Sequence, residues 1–402
     1  MAKGNKVVIT GTNYISILTM ARDLGKEGYD ISVIRIYLRK PGLANVMSSM
    51  EPEKESRFVK EYHSIVINDD GSMLRDLLLK IADDETKALL VPVDDFPVRV
   101  IDEHYDELSG HYLLPDIDKT AGEIKKLMDK GLQKELAIKA GLNTAKGLVI
   151  RPGEDLPELP NDIFPCYVKP SVSRRASKLA MGKCENRDEL LALISSGKRE
   201  DGDEFLAEQF IDAAHEHSVL GVCIEGVVKA CAGFRSEMPG HNERQGVAVM
   251  GISEGEEFFA PVMDGIRSLM LLTGYTGMFD IDYLEDKAGK LYFLEINFRA
   301  GASCHAFSYE GGLNVPAEYA GAMLRDEDIH RETILESGKY FLSEKALLEE
   351  YVKGDVSGKE MQNCLRRADV FFVKDDEDAK PYKVFRRFLR LAPLLRAVYR
   401  FK

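Results

Sequence analysis

The sequence predicts a parallel α/β lobe, then an α+β body, then a helical tail, and three observations carry that order. Strand-like and helix-like segments alternate over the first hundred residues, which requires a small parallel sheet with helices on its faces. Beyond about residue 118 the apolar runs pair through tight turns instead, as antiparallel strands do. Past residue 330 the apolar spacing is helical, and the last stretch changes the sign of its charge.

In the first lobe, residues 6–10 form a short buried strand ended by Gly11. Residues 14–26 carry Ile15, Leu18, Ala21 and Leu24 at helical spacing, and Gly25 and Gly28 can end that helix. A strand over 31–36, a helix over 72–82 and an apolar run over 88–93 complete the β-α-β pattern. The turn from Gly11 to Ser16 has one of the three glycines of a dinucleotide fingerprint, which argues against a nicotinamide or flavin site. Carboxyl ends of parallel strands still make ligand crevices, so Gly11, Thr12, Asp94 and Asp95 either line one or only turn the chain.

The body opens with a helical stretch over 120–140 containing Leu127, Met128, Leu132, Leu136 and Ala137. A strand over 144–150, a Pro- and acid-rich loop over 151–165 and a strand over 164–170 with Lys169 at its exit follow. Next come a helix over 186–195, a strand over 204–210, and strands over 218–223 and 227–234 joined at Glu225-Gly226. A helix over 260–273 precedes the last hairpin, 278–284 against 290–298.

Composition narrows the class. The 402 residues are 45% hydrophobic and 30% charged, without an apolar run long enough to span a bilayer. The N-terminus runs straight into a strand without signal-peptide features, and the net charge of −13 argues against coating nucleic acid. Six cysteines at spacings unlike a zinc site read as reduced, mostly buried thiols. The expectation is a soluble, cytoplasmic, multi-lobed protein.

The chemistry concentrates in the last hairpin. Alternation along a strand puts Asp280 and Asp282 on one face and, on the partner strand, Glu295, Asn297 and Arg299 on one face. A turn near residues 288–289 sets Asp282 nearly across from Glu295. Carboxylates roughly 5 Å apart repel by about 3 kcal/mol at an effective dielectric of 20, so a positive charge belongs between them. Hard oxygen ligands of this kind suit Mg²⁺ held jointly with phosphate oxygens, while Arg299 offers a fixed charge to a phosphorylated intermediate. The competing reading is a solvated polar face neutralised by Lys290 or Arg299. Lys130 on the helix, Lys169 at a strand exit and the hydroxyl- and cation-rich segment 171–178 all suit phosphate.

In this order the pieces resemble the ATP-grasp superfamily of carboxylate–amine and carboxylate–thiol ligases. They are Asp129-Lys130, Tyr167-Val168-Lys169-Pro170, Glu208-Gln209-Phe210-Ile211 followed by Glu216, and Asp282 thirteen residues before Glu295-Ile296-Asn297-Phe298-Arg299. The resemblance covers roughly residues 5–325. It implies a Rossmann-like pre-ATP-grasp domain over 1–117 and an ATP-grasp domain of two α+β subdomains over 118–330. The lid subdomain would span about 145–207, and a basic helical extension 331–402. Lys130, Lys169, Ser171 and Ser173 would meet ATP phosphates, with Lys169 also near the adenine. Glu208, Gln209, Phe210 and Ile211 would be the linker whose backbone meets the adenine edge, and Glu216 would hold the ribose. Asp282, Glu295 and Asn297 would bind Mg²⁺ or Mn²⁺. Arg299, with Arg235, would stabilise the acyl phosphate, and Gly301 and Ser303 would touch the acceptor. One departure stands out: the phosphate-covering segment 171–178 contains Arg174 and Arg175 but no glycine.

The implied reaction activates a carboxylate as an acyl phosphate and joins it to an amine, with small-molecule substrates. Glu295 to Arg299 followed by Gly312-Leu313-Asn314-Val315-Pro316 is similar to D-aspartate ligase-like enzymes, which would make a cell-envelope precursor or small metabolite the acceptor. A bicarbonate-activating, carboxylase-like member is an alternative, as is a nucleotide-binding module recruited to membranes without turnover. A homodimer is the assembly carried as an expectation.

Other motifs compete for attention. His215 and His217 share a strand face and invite a zinc reading, against the ribose role for Glu216 between them. Ser303-Cys304-His305 sets a nucleophile beside a base, but neighbours on extended chain point apart. Residues 379–402 carry eight cations and no acid, leaving −21 on the rest of the chain. That segment reads either as a helix docked on the acidic body or as one lying on an anionic membrane, with a break expected at Pro393.

Overall fold

The computed structural model describes residues 2–38, 40, 49–67, 70–83, 85–151, 161–171, 181–196, 204–236, 249–252, 256–310, 313–329, 331–332 and 340–399. The first lobe alternates β1 (Ala2–Gly11), α1 (Tyr14–Lys26), β2 (Asp30–Tyr37), β3 (Val59–Val66), α2 (Ser72–Ile81) and β4 (Thr86–Pro92). It continues with α3 (Asp95–Glu103), α4 (Tyr105–Leu108) and β5 (Tyr112–Leu113). The strands are parallel, in the order β3-β2-β1-β4-β5. The order reverses between β1 and β4, so Gly11, Thr12, Asp94 and Asp95 stand at the switch point where open α/β sheets form their ligand crevice. Gly11 is needed there, because a Cβ would come within 2.4 Å of Val93. Asn13 caps α1 by accepting from the Ile15 N–H, and residues 14–24 are buried all round the helix.

After β6 (Asp116–Ile117), the helical stretch expected over 120–140 is two helices, α5 (Glu123–Leu127) and α6 (Lys130–Lys139). Asp129 divides them: its backbone is extended and its side chain accepts from the Leu132 N–H at 2.8 Å, starting a new helix. A small antiparallel sheet comes next, ordered β7-β10-β8-β9. Its strands are β7 (Gly147–Ile150), β8 (Cys166–Pro170), β9 (Gly182–Cys184) and β10 (Phe205–Gln209), with α7 (Arg187–Ser196) packed between β9 and β10 in sequence. The strand expected from residue 144 begins at Gly147; Thr144 makes only an isolated bridge to Phe293. Most of the expected loop over 151–165, and residues 172–180, lie outside the described residues.

The largest sheet is built from β11 (Ala213–Ile224), β12 (Val227–Ser236), β13 (Val249–Ile252), β14 (Tyr275–Asp286) and β15 (Leu291–Asn297). The helix α8 (Glu256–Thr273) lies between β13 and β14 in sequence. Glu225 and Gly226 turn β11 into β12 with φ of 47° and 78°, the positive pair that a tight hairpin needs. Helices α9 (Cys304–Glu310) and α10 (Val315–Arg325), strands β16 (Arg331–Glu332) and β17 (Tyr340–Leu342), helices α11 (Glu344–Lys353) and α12 (Gly358–Arg367), strand β18 (Val370–Phe371) and helix α13 (Ala379–Tyr399) follow. The sheet runs β15-β14-β11-β12-β13-β17-β18, with β6 on β14 and β16 on β12.

One apolar core joins the parts. Val7, Ile9 and α1 of the first lobe pack with Leu220 and Phe234 of the large sheet and with Phe341, Phe372 and Phe385 of the tail. The tail is also tied by polar groups: fully buried Arg22 donates to Asp378 at 3.0 Å and to the carbonyls of Phe372 and Val373. The break expected at Pro393 is absent, and α13 runs through it. Proline costs one backbone hydrogen bond, but the helix is anchored on both sides. Phe385 and Ala392 are buried before it, and Arg396 donates to Val356 O at 3.0 Å after it.

Candidate active site

The edge of the large sheet supplies the acids. Asp282 lies opposite Glu295 and Asp280 opposite Asn297, the pairing expected of the hairpin, with a bulge after Asp282. Alternation then puts all four on one face. Asn297 Nδ2 donates to Asp282 Oδ2 at 3.2 Å, and the Ser218 hydroxyl from β11 donates to Asp282 Oδ1. Just past β15, Arg299 donates from Nη2 to Asn297 Oδ1 at 3.3 Å and from Nε to Asp95 Oδ1 at 3.0 Å. Asp95 opens α3, so this ion pair joins the acidic hairpin to the switch point of the first lobe.

Two lysines stand over the acids. Lys130, first residue of α6, pairs with Glu295. Its backbone N–H donates to Ser171 O at 2.8 Å, which brings the exit of β8 against the start of α6. Lys169, on β8, is buried and lies 2.7 Å from Glu208, which also pairs with Lys134 at 2.8 Å. Lys134 was not singled out from sequence, although it stands one helical turn after Lys130. Gln133 was missed too. Its side chain donates to Ile296 O at 2.9 Å and accepts from Ile296 N–H at 3.0 Å, doing for the edge strand what a neighbouring strand would do.

The carboxyls are shifted in two directions. Burial, then Asp280 and Glu295, raise Asp282 well above the usual carboxylate range. Burial also raises Asp280, with Arg299 opposing. Glu295 goes the other way: burial would raise it, but Lys130, then Lys169 and Arg299, bring it below the ordinary value. Glu208 is likewise lowered, Lys169 and Lys134 overcoming burial. The facing carboxyls thus differ in surroundings: Lys130 favours the charged form of Glu295, while burial beside Asp280 and Glu295 disfavours that of Asp282.

A divalent cation fits this donor set. Asp282, Glu295 and Asn297 offer hard oxygens on one face, and buried Asp280 Oδ1 has no hydrogen-bond partner. Among the described residues, no three His, Cys, Asp or Glu side chains are arranged to hold a metal alone. Two carboxylates and a carboxamide leave positions that phosphate oxygens and water fill in a Mg²⁺ site.

The remaining expected residues fall variously. The backbone N–H groups of Gln209 and Phe210 donate to Lys146 O and Pro165 O, at 2.7 and 2.8 Å. Those two donors are therefore committed within the fold. Glu216 is two residues before Ser218 on β11, hence on the acidic face, and burial raises its carboxyl. Gly301 lies against the acids, a Cβ there coming 3.1 Å from Asp280 Oδ2 and 3.3 Å from Ser303 Oγ. Ser171 and Ser303 are buried, and Ser173 lies outside the described residues.

Arg235 corrects an expectation. It pairs across β11 and β12 with His217, while Ser218 pairs with Phe234. Strand parity therefore turns Arg235 to the face away from Asp282, Glu295 and Arg299, and it does not join that cluster. His215 and His217 occupy the same reverse face, rings 6.2 Å apart. His217 Nε2 lies 2.5 Å from the Glu285 carboxylate, and burial drives His217 below its usual range. His305 is turned away from Ser303 toward Asp23 of α1, with Nδ1 2.6 Å from its carboxylate. Burial pushes the Cys304 thiol far up, which does not suit a nucleophile.

No family model matches the chain. Over 194 residues it is 29% identical to the D-alanine–D-alanine ligase of Nitrosospira multiformis, a stretch covering 44% of this chain and 59% of that protein. The chain thus spans about three-fifths of the length of that relative. Its fold is similar to the L-amino acid ligase of Bacillus licheniformis, with a TM-score of 0.57 and 15% identity, over 81% of this chain and 75% of the other. It is also similar to the biotin carboxylase domain of Hydrogenobacter thermophilus 2-oxoglutarate carboxylase, solved with MgADP, ADP and bicarbonate. That match has a TM-score of 0.60 and 17% identity, over 85% and 74% of the two chains.

Proposed function

We propose that this chain, a member of the ATP-grasp superfamily by its fold, is an ADP-forming ligase that joins a carboxylate to an amine. The single observation that carries the reading is the facing of Asp282 and Glu295, with Asn297 and Arg299 beside them, under Lys130 and Lys169.

The chemistry follows from charge. A carboxylate resists nucleophiles because attack builds a second negative charge on it. Transfer of the γ-phosphoryl group to one of its oxygens gives an acyl phosphate, and an amine can then displace phosphate to form the amide. Lys130 and Lys169 bind the ATP phosphates, helped by Ser171 and Ser173, and Lys134 shares Glu208 with Lys169. Asp282, Glu295 and Asn297 hold Mg²⁺ or Mn²⁺, which when bound offsets phosphate charge. Arg299 is held at a fixed angle by Asn297 and Asp95, ready for the charge of the acyl phosphate. Glu216 takes the ribose, and Ile211 with the linker carbonyls meets the adenine, since the N–H groups of Gln209 and Phe210 are engaged. The acceptor lies by Gly301 and Ser303, between Asp280 and the switch point of the first lobe. An amino acid or a cell-envelope peptide precursor suits this reading. Domains at 1–117, 118–330 and 331–402, with the lid about 145–207, belong to it too.

ADP release measured with ATP, Mg²⁺ and pooled amino acids tests it. Release that requires both a carboxylate and an amine supports the ligase; ATP binding without release under every pairing rejects it. A second reading takes bicarbonate as the carboxylate, favoured by the likeness to a carboxylase domain that was solved with that anion. ADP release that depends on bicarbonate and not on an organic acid would select it.

A further inference from the structure

We propose that the outward face of α13 is a docking surface for anionic lipid bilayers. The helix has two opposite faces. Pro381, Phe385 and Ala392, at steps of four and seven residues, are buried against α11 and the 3₁₀ turn Pro52–Glu55. The face turned away carries Lys380, Lys383, Arg387 and Arg390 at steps of three and four residues, all exposed, with Arg386 at its margin.

Leu391 and Leu394 lie within that cationic face, 47% and 63% exposed. The patch spans fifteen residues, Lys380 to Leu394, about 21 Å of helix, and the whole helix contains no acid. The charge asymmetry has two explanations, and the packing separates them. Had the basic residues served to dock the helix on the acidic body, they would face inward; instead the inward face is apolar and the cations face solvent. Arg396 alone of the helical cations is turned to the protein, on Val356 O and the Tyr351 ring.

An anionic bilayer fits both chemical features of the outward face. Its phosphates attract the lysines and arginines, and its acyl boundary accepts leucines set among them. A nucleic acid would use the cations but gains nothing from two leucines, and the exposed face offers no aromatic ring for base stacking. No helix among the described residues is long and apolar enough to cross a membrane, and the contact proposed is a peripheral one. This inference is independent of the reaction proposed above.

The test is co-sedimentation of the intact protein with vesicles of phosphatidylcholine, with and without about 30% phosphatidylglycerol, at low and high salt. The expected result is binding to the anionic vesicles at low salt, release at high salt, and no binding to pure phosphatidylcholine. Arg387→Glu with Arg390→Glu should lower partitioning by tenfold or more, and Leu391→Ser with Leu394→Ser by severalfold at unchanged charge. All four positions face solvent, so unchanged thermal melts will show that the variants fold. Absence of binding, equal binding to both vesicles, or binding indifferent to the leucines overturns the proposal. In that last case a fluorescent RNA bound equally well would identify a general polyanion surface.

Discussion

Asp282 and Glu295 face each other across one strand pair, yet their surroundings push them in opposite directions. Lys130 decides the difference, since it reaches Glu295 and not Asp282. Glu295→Gln keeps the shape but removes the charge shared by Lys130 and the proposed metal. We expect ADP release to fall by on the order of 10² to 10³, and undiminished turnover would remove Glu295 from the mechanism. Elsewhere, fully buried Glu53 sits 3.6 Å from Arg35, and burial, opposed by Arg35, raises its carboxyl from 4.5 to about 7. The folded state therefore holds this proton more tightly than the unfolded chain. The stabilisation is whole below about pH 4.5 and is lost as pH rises through about 7, on the order of 3 kcal/mol in all. Unfolding by urea should show that decline in the parent protein, with the Glu53→Gln variant markedly flatter across the same window.

At the scale of elements, α6 positions the site through its first turn. Asp129 starts the helix, Lys130 meets Glu295, and Gln133 completes the hydrogen bonding of Ile296 on β15. Gln133→Ala would leave a buried N–H and a buried carbonyl unpaired next to Glu295. A loss of about 2–4 kcal/mol in stability is expected, accompanied by a higher Mg²⁺ requirement for ADP release. Stability loss with an unchanged Mg²⁺ requirement would confine Gln133 to a structural role. The acidic hairpin was legible because its parity and turn are local. The division of the 120–140 stretch was less so, because its apolar spacing is compatible with one helix and only the cap at Asp129 interrupts it. Gln133 and Lys134 carried no local mark, since the partners that tie them to the site, Ile296 and Glu208, are more than seventy residues away.

Across the whole molecule, the tail is part of the core. Arg22 of α1 and Asp378 form a buried ion pair, and Asp378 also accepts from Ser56 Oγ at 2.7 Å and the Arg57 N–H at 3.0 Å. Removing one partner of such a pair strands the other charge, so Asp378→Ala should cost about 3–5 kcal/mol in unfolding free energy. A chain ending at residue 330 would lose Phe341, Phe372 and Phe385 from the shared core. It should bind a hydrophobic dye and fail to melt cooperatively; a sharp transition equal to that of the full chain would contradict this.

Sequence alone was enough for what rests on short-range periodicity: the parallel lobe, the antiparallel hairpins, and the facing of Asp282 and Glu295. Tertiary structure decided what depends on distant partners. It turned Arg235 to the reverse face, brought Asp95 of the first lobe onto Arg299, set Lys134 on Glu208, and laid the apolar side of α13 against the body while leaving its described cations other than Arg396 outside. The reason is physical: alternation and helical pitch are properties of the local backbone, whereas which charge meets which is settled only when separate elements close on a common core.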